Sequence, residues 1–437
     1  MVALTGRPDG PPLVPPGRAA TVAAKLADRF AAVTGVQVDG AQILAERAAF
    51  TGHRRRGAMA AGGACRLLPT ADGWAAVSCA RPDDPALLGA LVGEGVGSDP
   101  WPALTRWLRE HTGAELAQRA ELLSIAAAPV TPVTPVTPVA RITPVALITP
   151  MTSITLMALV DPLTLIAPAA PVVRHGLTRP LAGRLVADFS ALWAGPLCAH
   201  LLGLAGARVV KVETPDRPDG ARSGNDAFYR LLHAGHRSVT LDPRTSGGRA
   251  EMAALVRAAD IVIESSRPRA LARFGLDAEA AAATGTTWVS ITAYGRASDR
   301  VGFGDDVAAG AGLVARDADG LPVFVGDAIA DPLTGLTAAV LAARAAQSPG
   351  SGALLDIAMS DVVAGTMDGG HAVPSPAARR GGDGWVVDTA AGPVQVAWPR
   401  RRQVPGKAAD LGEHTAEVLH ELGIGRDQGI GRDQGIG

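Results

Sequence analysis

The chain has 437 residues, 47% of them apolar, which is enough for two or three domains with extensive buried cores. Lysine and arginine total 41 against 42 aspartate and glutamate residues, so no excess of positive charge is available for a polyanion and we expect no nucleic-acid partner. The three cysteines have no metal or redox spacing, which excludes a disulfide framework and suits a reducing compartment.

The first 128 residues contain patterns that recur later in the chain. Residues 9–12 (DGPP) match residues 319–322 (DGLP), and a helix of small residues is predicted after each of them. Residues 72–75 (DGWA) match residues 383–386 (DGWV), about 311 positions later. We therefore interpret residues 1–128 as a diverged partial repeat of the later region.

Two segments have a repetitive, low-complexity composition that differs from the rest of the chain. Residues 129–173 contain repeated Pro-Val-Thr units, and because proline removes backbone donors and favours extended geometry, they predict a linker. The apolar part of this linker is interrupted by prolines and by Asp161, which argues against a membrane span. Residues 424–437 repeat IGRDQG and predict a polar tail. Since the opening residues lack a signal-peptide pattern, we expect a cytoplasmic protein without membrane contact.

Between these segments, residues 174–423 alternate between β-rich and helical runs. The strand candidates are residues 185–189, 208–213, 238–241, 261–264 and 288–291, and the helix candidates include residues 196–205 and 248–258. Alternation of this kind predicts an α/β fold with a Rossmann-like parallel sheet and helices packed on its faces.

Seven motifs in sequence order carry a family resemblance. They are residues 185–213 (LVADFSALWAGPLCAHLLGLAGARVVKVE), 236–242 (HRSVTLD), 259–276 (ADIVIESSRPRALARFGL), 289–295 (VSITAYG), 329–343 (IADPLTGLTAAVLAA), 354–361 (LLDIAMSD) and 411–423 (LGEHTAEVLHELG). The chain resembles the family III CoA-transferases, which include formyl-CoA transferase, carnitine CoA-transferases and α-methylacyl-CoA racemase. The resemblance implies an acyl-CoA and a carboxylic acid as substrates, coenzyme A as the bound group and no metal.

The family's nucleophile is an aspartate four residues before a glycine that opens a small-residue helix, and Asp331 precedes Gly335 at this spacing. A carboxylate can attack a thioester and form a mixed anhydride, which the released CoA thiolate converts into an aspartyl-CoA thioester. With an ordinary pKa, Asp331 would be ionised at neutral pH without a general base. Asp331 also suits a helix N-terminus before Pro332, so a capping role is an alternative that is compatible with catalysis.

The resemblance also implies contacts to CoA in three segments. The strongest phosphate candidate is Arg273, because a guanidinium can bind phosphate through two hydrogen bonds. The other candidates are the loop residues Ala191, Leu192, Trp193 and Ala194, the arginines Arg222 and Arg237, and the pair Ser265 and Ser266, which replaces a common Asn-Phe pair of the family.

Two other functions stay open at this stage. Racemases of the family pair the aspartate with a histidine, whereas the corresponding residues 302–306 (GFGDD) contain none, which disfavours proton exchange. We expect Asp305 and Asp306 to lie in an acidic loop that faces solvent. A CoA-binding protein without turnover is the second alternative. His233 and His236 have no third ligand at metal spacing.

The family's smaller α+β domain is reduced after residue 368 to a short remnant around DGWVV. Residues 1–128, which include a helical run predicted over residues 101–123, resemble that smaller domain and are expected to replace it. Thr21 stands at the position that corresponds to Asp331, so this copy supplies no nucleophile. The resemblance also implies an interlocked homodimer, in which each chain threads through the other, and we expect a homodimer here.

Overall fold

A computed structural model describes residues 1–131, 181–347, 352–369 and 373–424. Most of the predicted linker and the predicted tail therefore lie outside the described residues. The helices are α1 Ala19–Thr34, α2 Gly40–Ile43, α3 Glu46–Thr51, α4 Asp84–Val92, α5 Trp101–Glu110, α6 Gly113–Leu123, α7 Ala194–Leu204, α8 Asp226–His233, α9 Ser246–Ala258, α10 Pro268–Ala272, α11 Ala278–Ala283, α12 Gly304–Gly310, α13 Ala330–Ala345, α14 Met359–Ala364 and α15 Thr415–Glu421. Short 3₁₀ turns occupy Val2–Leu4 and Gly220–Ser223.

The strands form four sheets. They are β1 Cys65–Thr70, β2 Gly73–Ser78, β3 Ala127–Pro129, β4 Leu185–Asp188, β5 Arg208–Glu213, β6 Arg237–Thr240, β7 Ile261–Glu264, β8 Thr287–Thr292, β9 Val314–Arg316, β10 Pro322–Phe324, β11 Ala353–Ala358, β12 Arg379–Gly381, β13 Gly384–Thr389 and β14 Gly392–Gln395. The largest sheet has the order β11-β8-β7-β4-β5-β6, and every pair in it is parallel.

This six-stranded sheet confirms the predicted α/β fold. Numbered along the chain, its strands have the order 3-2-1-4-5-6, which is the doubly wound Rossmann arrangement. All five predicted strands are present, and β11 is a sixth that the sequence did not identify as a strand. The order reverses between β4 and β7, and ligands of such folds bind outside the carboxyl ends of the strands at this point.

Helices α7 and α13 form the centre of the largest core. Nearly every residue of both helices is buried, and the two helices pack closely on each other. Gly335 makes this contact possible, because a Cβ atom at that position would lie 2.5 Å from the carbonyl oxygen of Ala194. The glycine therefore brings the beginning of α13 against the beginning of α7, beside the carboxyl end of β4.

The N-terminal region shares this core. Helix α1 packs against α13, and its buried Leu26 and Phe30 belong to the same apolar cluster as Leu333 and Leu336. Backbone hydrogen bonds add to the contact, including one from the N–H of Phe324 to the carbonyl of Gly57 at 3.0 Å. Residues 1–131 are therefore packed into the body of the protein.

A second core lies within the N-terminal region, where the antiparallel sheet β1-β2-β3 packs against α4, α5 and α6. The helical run predicted over residues 101–123 is confirmed, but it is divided into α5 and α6 by a break at His111. Thr112 causes the break: its hydroxyl accepts from the N–H of Glu115 at 3.2 Å, and the Glu115 carboxylate accepts from the N–H of Thr112 at 2.7 Å. This reciprocal cap begins a new helix.

The C-terminal part contains a second DGW hairpin. Strands β12, β13 and β14 form an antiparallel sheet whose side chains are mostly exposed or half-buried, and α15 packs on β6. Within the described residues, no helix has the length and apolar character needed to cross a membrane.

Candidate active site

Asp331 lies in the first turn of α13, at the edge where the carboxyl ends of the parallel strands meet. The backbone N–H of Ala194, the first residue of α7, donates a hydrogen bond to the Asp331 carboxylate. This contact requires the close approach of the two helices that Gly335 allows. The four-residue spacing from Asp331 to Gly335 thus has a physical reason: the aspartate lies in the first turn of the helix, and the glycine, one turn later, faces α7.

The pKa of Asp331 departs from the ordinary value that the sequence suggested. Burial raises the pKa to about 7, the charge of Arg47 lowers it, and the charges of Asp305 and Asp327 raise it further. The hydrogen bond from Ala194 acts with Arg47 in favour of the ionised form. The side chain keeps a partial opening to solvent, so a substrate can reach it. At neutral pH the carboxylate is therefore ionised in only part of the molecules.

The expectation that Asp305 and Asp306 face solvent in a loop is wrong. Both residues lie in the first turn of α12. Asp306 is fully buried. Its carboxylate accepts from the hydroxyl of Ser78 at 2.7 Å and from the N–H of Phe303 at 3.0 Å. Burial raises the pKa of Asp306 to about 7. Asp305 accepts from the N–H of Ala328 at 2.9 Å, and burial together with the charge of Asp327 raises its pKa to about 6.

Helix α12 approaches the candidate nucleophile through Gly304. A Cβ atom at this position would lie 2.1 Å from Oδ2 of Asp331 and 2.5 Å from the carbonyl oxygen of Ala328. Any larger residue would therefore displace the carboxylate or the turn that precedes α13. Asp305, the residue that follows Gly304, is consequently close enough for its charge to act on Asp331.

Two side chains from the N-terminal region, Arg47 and His53, lie beside Asp327 and complete the cluster of charged groups around Asp331. Neither was predicted from the sequence. Arg47 of α3 binds Asp327 through two hydrogen bonds, from Nε to Oδ2 at 3.0 Å and from Nη2 to Oδ1 at 2.5 Å. His53 Nδ1 lies 3.3 Å from both oxygens of the same carboxylate. Burial would raise the pKa of Asp327, but the Arg47 charge and the contacts of both side chains hold it well below its usual range.

The sequence does contain a signal for Arg47. Glu46 and Arg47 are adjacent charges in the otherwise apolar run ILAERAAF, and charged residues are rarely buried unless they are paired. Glu46 is indeed fully buried and pairs with Arg402, with Nε to Oε2 at 2.8 Å and Nη2 to Oε1 at 2.6 Å. The partners of such residues are too distant in sequence to be assigned from the pattern alone.

The predicted loop after β4 lies at the point where the strand order reverses. The N–H of Ala191 donates to the hydroxyl of Ser265, after β7, at 3.0 Å, which joins the loops on the two sides of this point. Leu192 has a positive φ of 70° and is held by a 3.0 Å hydrogen bond from its N–H to Asp219. Ser266 has a buried hydroxyl without a partner among the described residues.

Trp193 is buried between the loop and the N-terminal region. The guanidinium of Arg47 lies 4.9 Å from the centre of the Trp193 ring, and Phe228 meets the ring edge-on with a centroid distance of 5.3 Å. The indole therefore has a packing role beneath the cluster around Asp331.

Arg273 lines a cavity of about 310 Å³ beyond the carboxyl ends of β5, β6 and β7. Arg217 and Arg244 line the same cavity, as does the ring of Phe274. The side chain of Arg273 makes no hydrogen bond or ion pair within the described part of the chain, whereas the Arg244 side chain is engaged with Asp242 at 2.9 Å. A cavity with an unengaged guanidinium and an aromatic ring fits a nucleotide phosphate and its base.

The other two candidate arginines are engaged by carboxylates. Arg222 binds Glu213 through Nε and Nη2, at 2.9 Å and 2.5 Å, and donates from Nη1 to the carbonyl of Ala409 at 3.1 Å. Arg237 binds Glu421 of α15. Both side chains therefore hold the C-terminal segment against the sheet, and neither lines the cavity of Arg273.

His233 and His236 are buried near Lys211, with their ring centres 5.8 Å apart. Burial lowers the pKa of both side chains, and the Lys211 charge adds to the effect. Across the residues that the structure describes, no group of three or more His, Cys, Asp or Glu side chains could hold a metal ion.

Part of the chain is similar to known proteins. Residues 181–384 match the model of CoA-transferase family III. The succinate–glutarate CoA-transferase of Agrobacterium fabrum is 32% identical over 206 residues, which cover 42% of this chain and 52% of that protein. The succinyl-CoA–D-citramalate CoA-transferase of Chloroflexus aurantiacus is 31% identical, with 44% and 52% covered. The chain thus spans about half the length of the curated relatives it matches.

Solved structures are also similar. A CAIB/BAIF family protein from Brucella suis is 27% identical with a TM-score of 0.43, and the match covers 50% of this chain and 66% of that one. A hypothetical protein from Mycobacterium tuberculosis is 32% identical with a TM-score of 0.42, covering 48% and 65%. Over residues 181–384 the chain is therefore similar to the family III CoA-transferases.

Proposed function

We propose that the chain transfers CoA from an acyl-CoA thioester to a carboxylic acid, with Asp331 as the nucleophile. The observation that carries this proposal is the placement of Asp331: a carboxylate at the start of α13, held by the N–H of Ala194 and open to the edge of the sheet where nucleotides bind. No other described carboxylate combines an opening to solvent with a backbone contact to the loop after β4.

The reaction needs no proton transfer. An Asp331 oxygen attacks the thioester carbonyl, the C–S bond breaks, and the products are a mixed anhydride and CoA thiolate. The thiolate attacks Cγ of Asp331, which releases the donor acid and leaves an aspartyl-CoA thioester. An acceptor carboxylate then attacks Cγ, and the released thiolate takes the acceptor's acyl group. The Asp331 carboxylate is regenerated, so every bond broken in the cycle is balanced by one formed.

The chemistry requires the ionised form of Asp331. Because burial raises its pKa to about 7, transfer should increase as the pH rises from about 6 to about 8. The Ala194 N–H that stabilises the carboxylate lies at the N-terminus of α7, and the positive end of this helix also favours negative charge that develops on an attacked carbonyl.

We propose that the cavity lined by Arg273 receives the phosphates of CoA. Replacing Arg273 by Ala should weaken CoA binding by about 1.5–3 kcal/mol, since a charged hydrogen bond to phosphate is lost. Isothermal titration with CoA measures this change. Arg257→Ala removes an exposed arginine of α9 that does not line the cavity and serves as the control. An unchanged dissociation constant for Arg273→Ala would show that Arg273 is a surface charge that does not contact CoA.

A panel of acyl-CoA donors and carboxylic acids tests the proposed function directly. Each pair is incubated with the protein, and a new CoA ester is sought by chromatography and mass spectrometry. Formation of an acceptor-CoA ester supports transfer. Binding of CoA without any new ester across the panel would favour the alternative of a CoA-binding protein without turnover.

A racemase-like isomerase is the second candidate, and one observation favours it. Burial raises the pKa of Asp305 to about 6 and that of Asp331 to about 7, and His53 lies in the same cluster, so protonatable groups surround the site even though residues 302–306 contain no histidine. Such groups can remove and return a proton. Incubation of a 2-methylacyl-CoA in deuterium oxide distinguishes the two functions, because only proton exchange introduces deuterium at the α-carbon.

The family resemblance also leads us to propose a homodimer in the cytoplasm. Light scattering at micromolar concentration should give about twice the mass of the chain, 44.4 kDa for one copy. A monomer under these conditions would contradict the assembly but not the transfer reaction.

A further inference from the structure

Arg47 reaches the neighbourhood of Asp331 from a part of the chain that the family match does not include. It lies on α3, whereas the matched region begins at residue 181. Its contact partner Asp327 follows β10 and precedes α13 by three residues. The bidentate contact described above therefore joins the N-terminal region to the segment that leads directly into the candidate nucleophile.

The segment between Asp327 and Asp331 is a tight turn that needs support. Ala328 has a positive φ of 46°, which is unfavourable for a residue with a side chain. Its N–H donates to Asp305 at 2.9 Å, and its carbonyl accepts from the N–H of Asp331 at 3.0 Å. The turn thus connects three carboxylates, and the bidentate Arg47 contact fixes one end of it.

We infer that Arg47 is a positioning residue of the transfer site, because it holds the Asp327–Ala328 turn beside Asp331 and supplies the positive charge that offsets three neighbouring carboxylates. This inference rests on the proposed function only for its effect on turnover. Helix α3 is itself fixed by the buried pair of Glu46 and Arg402, so the guanidinium keeps its place when the site is empty.

The charges that act on Asp331 come from several elements around α13. Arg47 of α3 lowers its pKa, whereas Asp305 of α12 and Asp327 of the preceding turn raise it. Behind them, His53 acts on Asp305 and Asp327, and the charge of Asp305 raises the pKa of Asp306. Arg47 is the cation among the groups that act directly on Asp331, so its removal and the removal of a carboxylate must have opposite effects.

Two substitutions exploit this opposition. In Arg47→Ala the carboxylates lose their counter-charge, and the midpoint for ionisation of Asp331 should rise by roughly one pH unit or more. In Asp327→Asn one carboxylate is lost while Arg47 remains, so the midpoint should fall. Arg47→Lys keeps the charge, so its midpoint should lie much closer to the wild-type value than that of Arg47→Ala. Arg54→Gln, in the exposed segment after α3, removes an arginine that stacks on Trp398 and is the matched control.

The midpoint is measured without relying on catalysis. A water-soluble carbodiimide reacts with protonated carboxyl groups, and peptide mass spectrometry of the full-length chain gives the labelling of Asp331 between pH 5 and 9. In parallel, the acid limb of kcat/KM is recorded for the best substrate pair of the panel. An increase of one unit would reduce the ionised fraction at pH 7 from about one half to about one tenth, a fivefold loss that is recovered near pH 9.

The possible results separate the inference from the proposed function. Opposite shifts for Arg47→Ala and Asp327→Asn, with Arg54→Gln unchanged, support the role of Arg47 even when no substrate pair turns over. Shifts in the same direction, or none, overturn it even when transfer is observed. If Arg47→Ala does not fold, Arg47→Gln takes its place, because it removes the charge and keeps a long side chain that can donate a hydrogen bond to Asp327. A midpoint that does not rise in Arg47→Gln contradicts the inference.

Discussion

Asp331→Asn is expected to abolish CoA transfer while the protein still folds and binds CoA. The amide cannot form the mixed anhydride, so the rate should fall at least about 1,000-fold, as for removal of other covalent nucleophiles. The measurement is formation of the acceptor-CoA ester by protein purified from a host without related activity. Asp299→Asn, an exposed aspartate paired with Arg269, is the control and should retain activity. Full turnover by Asp331→Asn would remove this residue from the mechanism.

Two further measurements on the same variant sharpen the result. Hydroxylamine added with an acyl-CoA should modify Asp331 in the wild-type chain and nothing in the variant, because it traps the activated carboxyl group. Modification of a different carboxylate alone would redirect the assignment to that residue.

The stability of Asp331→Asn has a predictable sign. The pKa of Asp331 is raised in the folded state, so the wild-type fold is penalised once the pH exceeds the unfolded value, and the penalty is complete above about 7. Urea unfolding at pH 8 should therefore show the variant to be more stable by roughly 1–3 kcal/mol, with a smaller difference at pH 5.

Removal of the N-terminal region is expected to have the other large effect. Residues 171–437 expressed alone should be unstable and inactive, because the cut exposes the face of α13 that α1 covers. The apolar side chains lost from the shared core include Leu13, Val22, Leu26, Phe30, Ile43 and Leu44. At roughly 1.5–3 kcal/mol each, their burial is comparable to the whole stability of a typical domain. The cut also leaves the buried Asp327 without Arg47.

Complementation tests this explanation. Co-expression of residues 1–170 should restore soluble, active protein, whereas the same fragment carrying Phe30→Asp should not, because a charge cannot enter the shared core. If residues 171–437 are fully stable and active alone, residues 1–128 do not act as the missing smaller domain.

The sequence predicted the central sheet well because its strands are local patterns. Short β-branched runs separated by alanine-rich helices identify β4 to β8 and predict that they form a parallel sheet, whereas the order of the strands was not predicted. Strand β11 was not assigned, because its apolar residues run directly into α14 and were treated only as part of a motif. The division between α5 and α6 was missed because the cap at Thr112 interrupts an otherwise continuous helical pattern.

The site was predictable only in part, for a different reason. Asp331 was predicted from the family resemblance, through its spacing to Gly335, and this spacing encodes one local contact between two helices. Packing between segments far apart in the chain determines the raised pKa of Asp331. The same kind of packing buries Asp306 and places Arg47 beside Asp327. A lone sequence gives no distance between such segments, so Asp305 and Asp306 resembled a solvated acidic loop.

The pairing of Arg47 with Asp327 has a consequence for synthesis on the ribosome. The two residues are 280 positions apart, so at roughly 5–20 residues per second the arginine is made about 15–55 s before its partner. During this interval the apolar face of α1 is not covered by α13, and Arg47 of α3 has no carboxylate of Asp327 to pair with. Residues 1–131 therefore emerge as a nascent segment that must avoid premature association until translation of the sheet is nearly complete, and chaperone binding is expected to concentrate on α1.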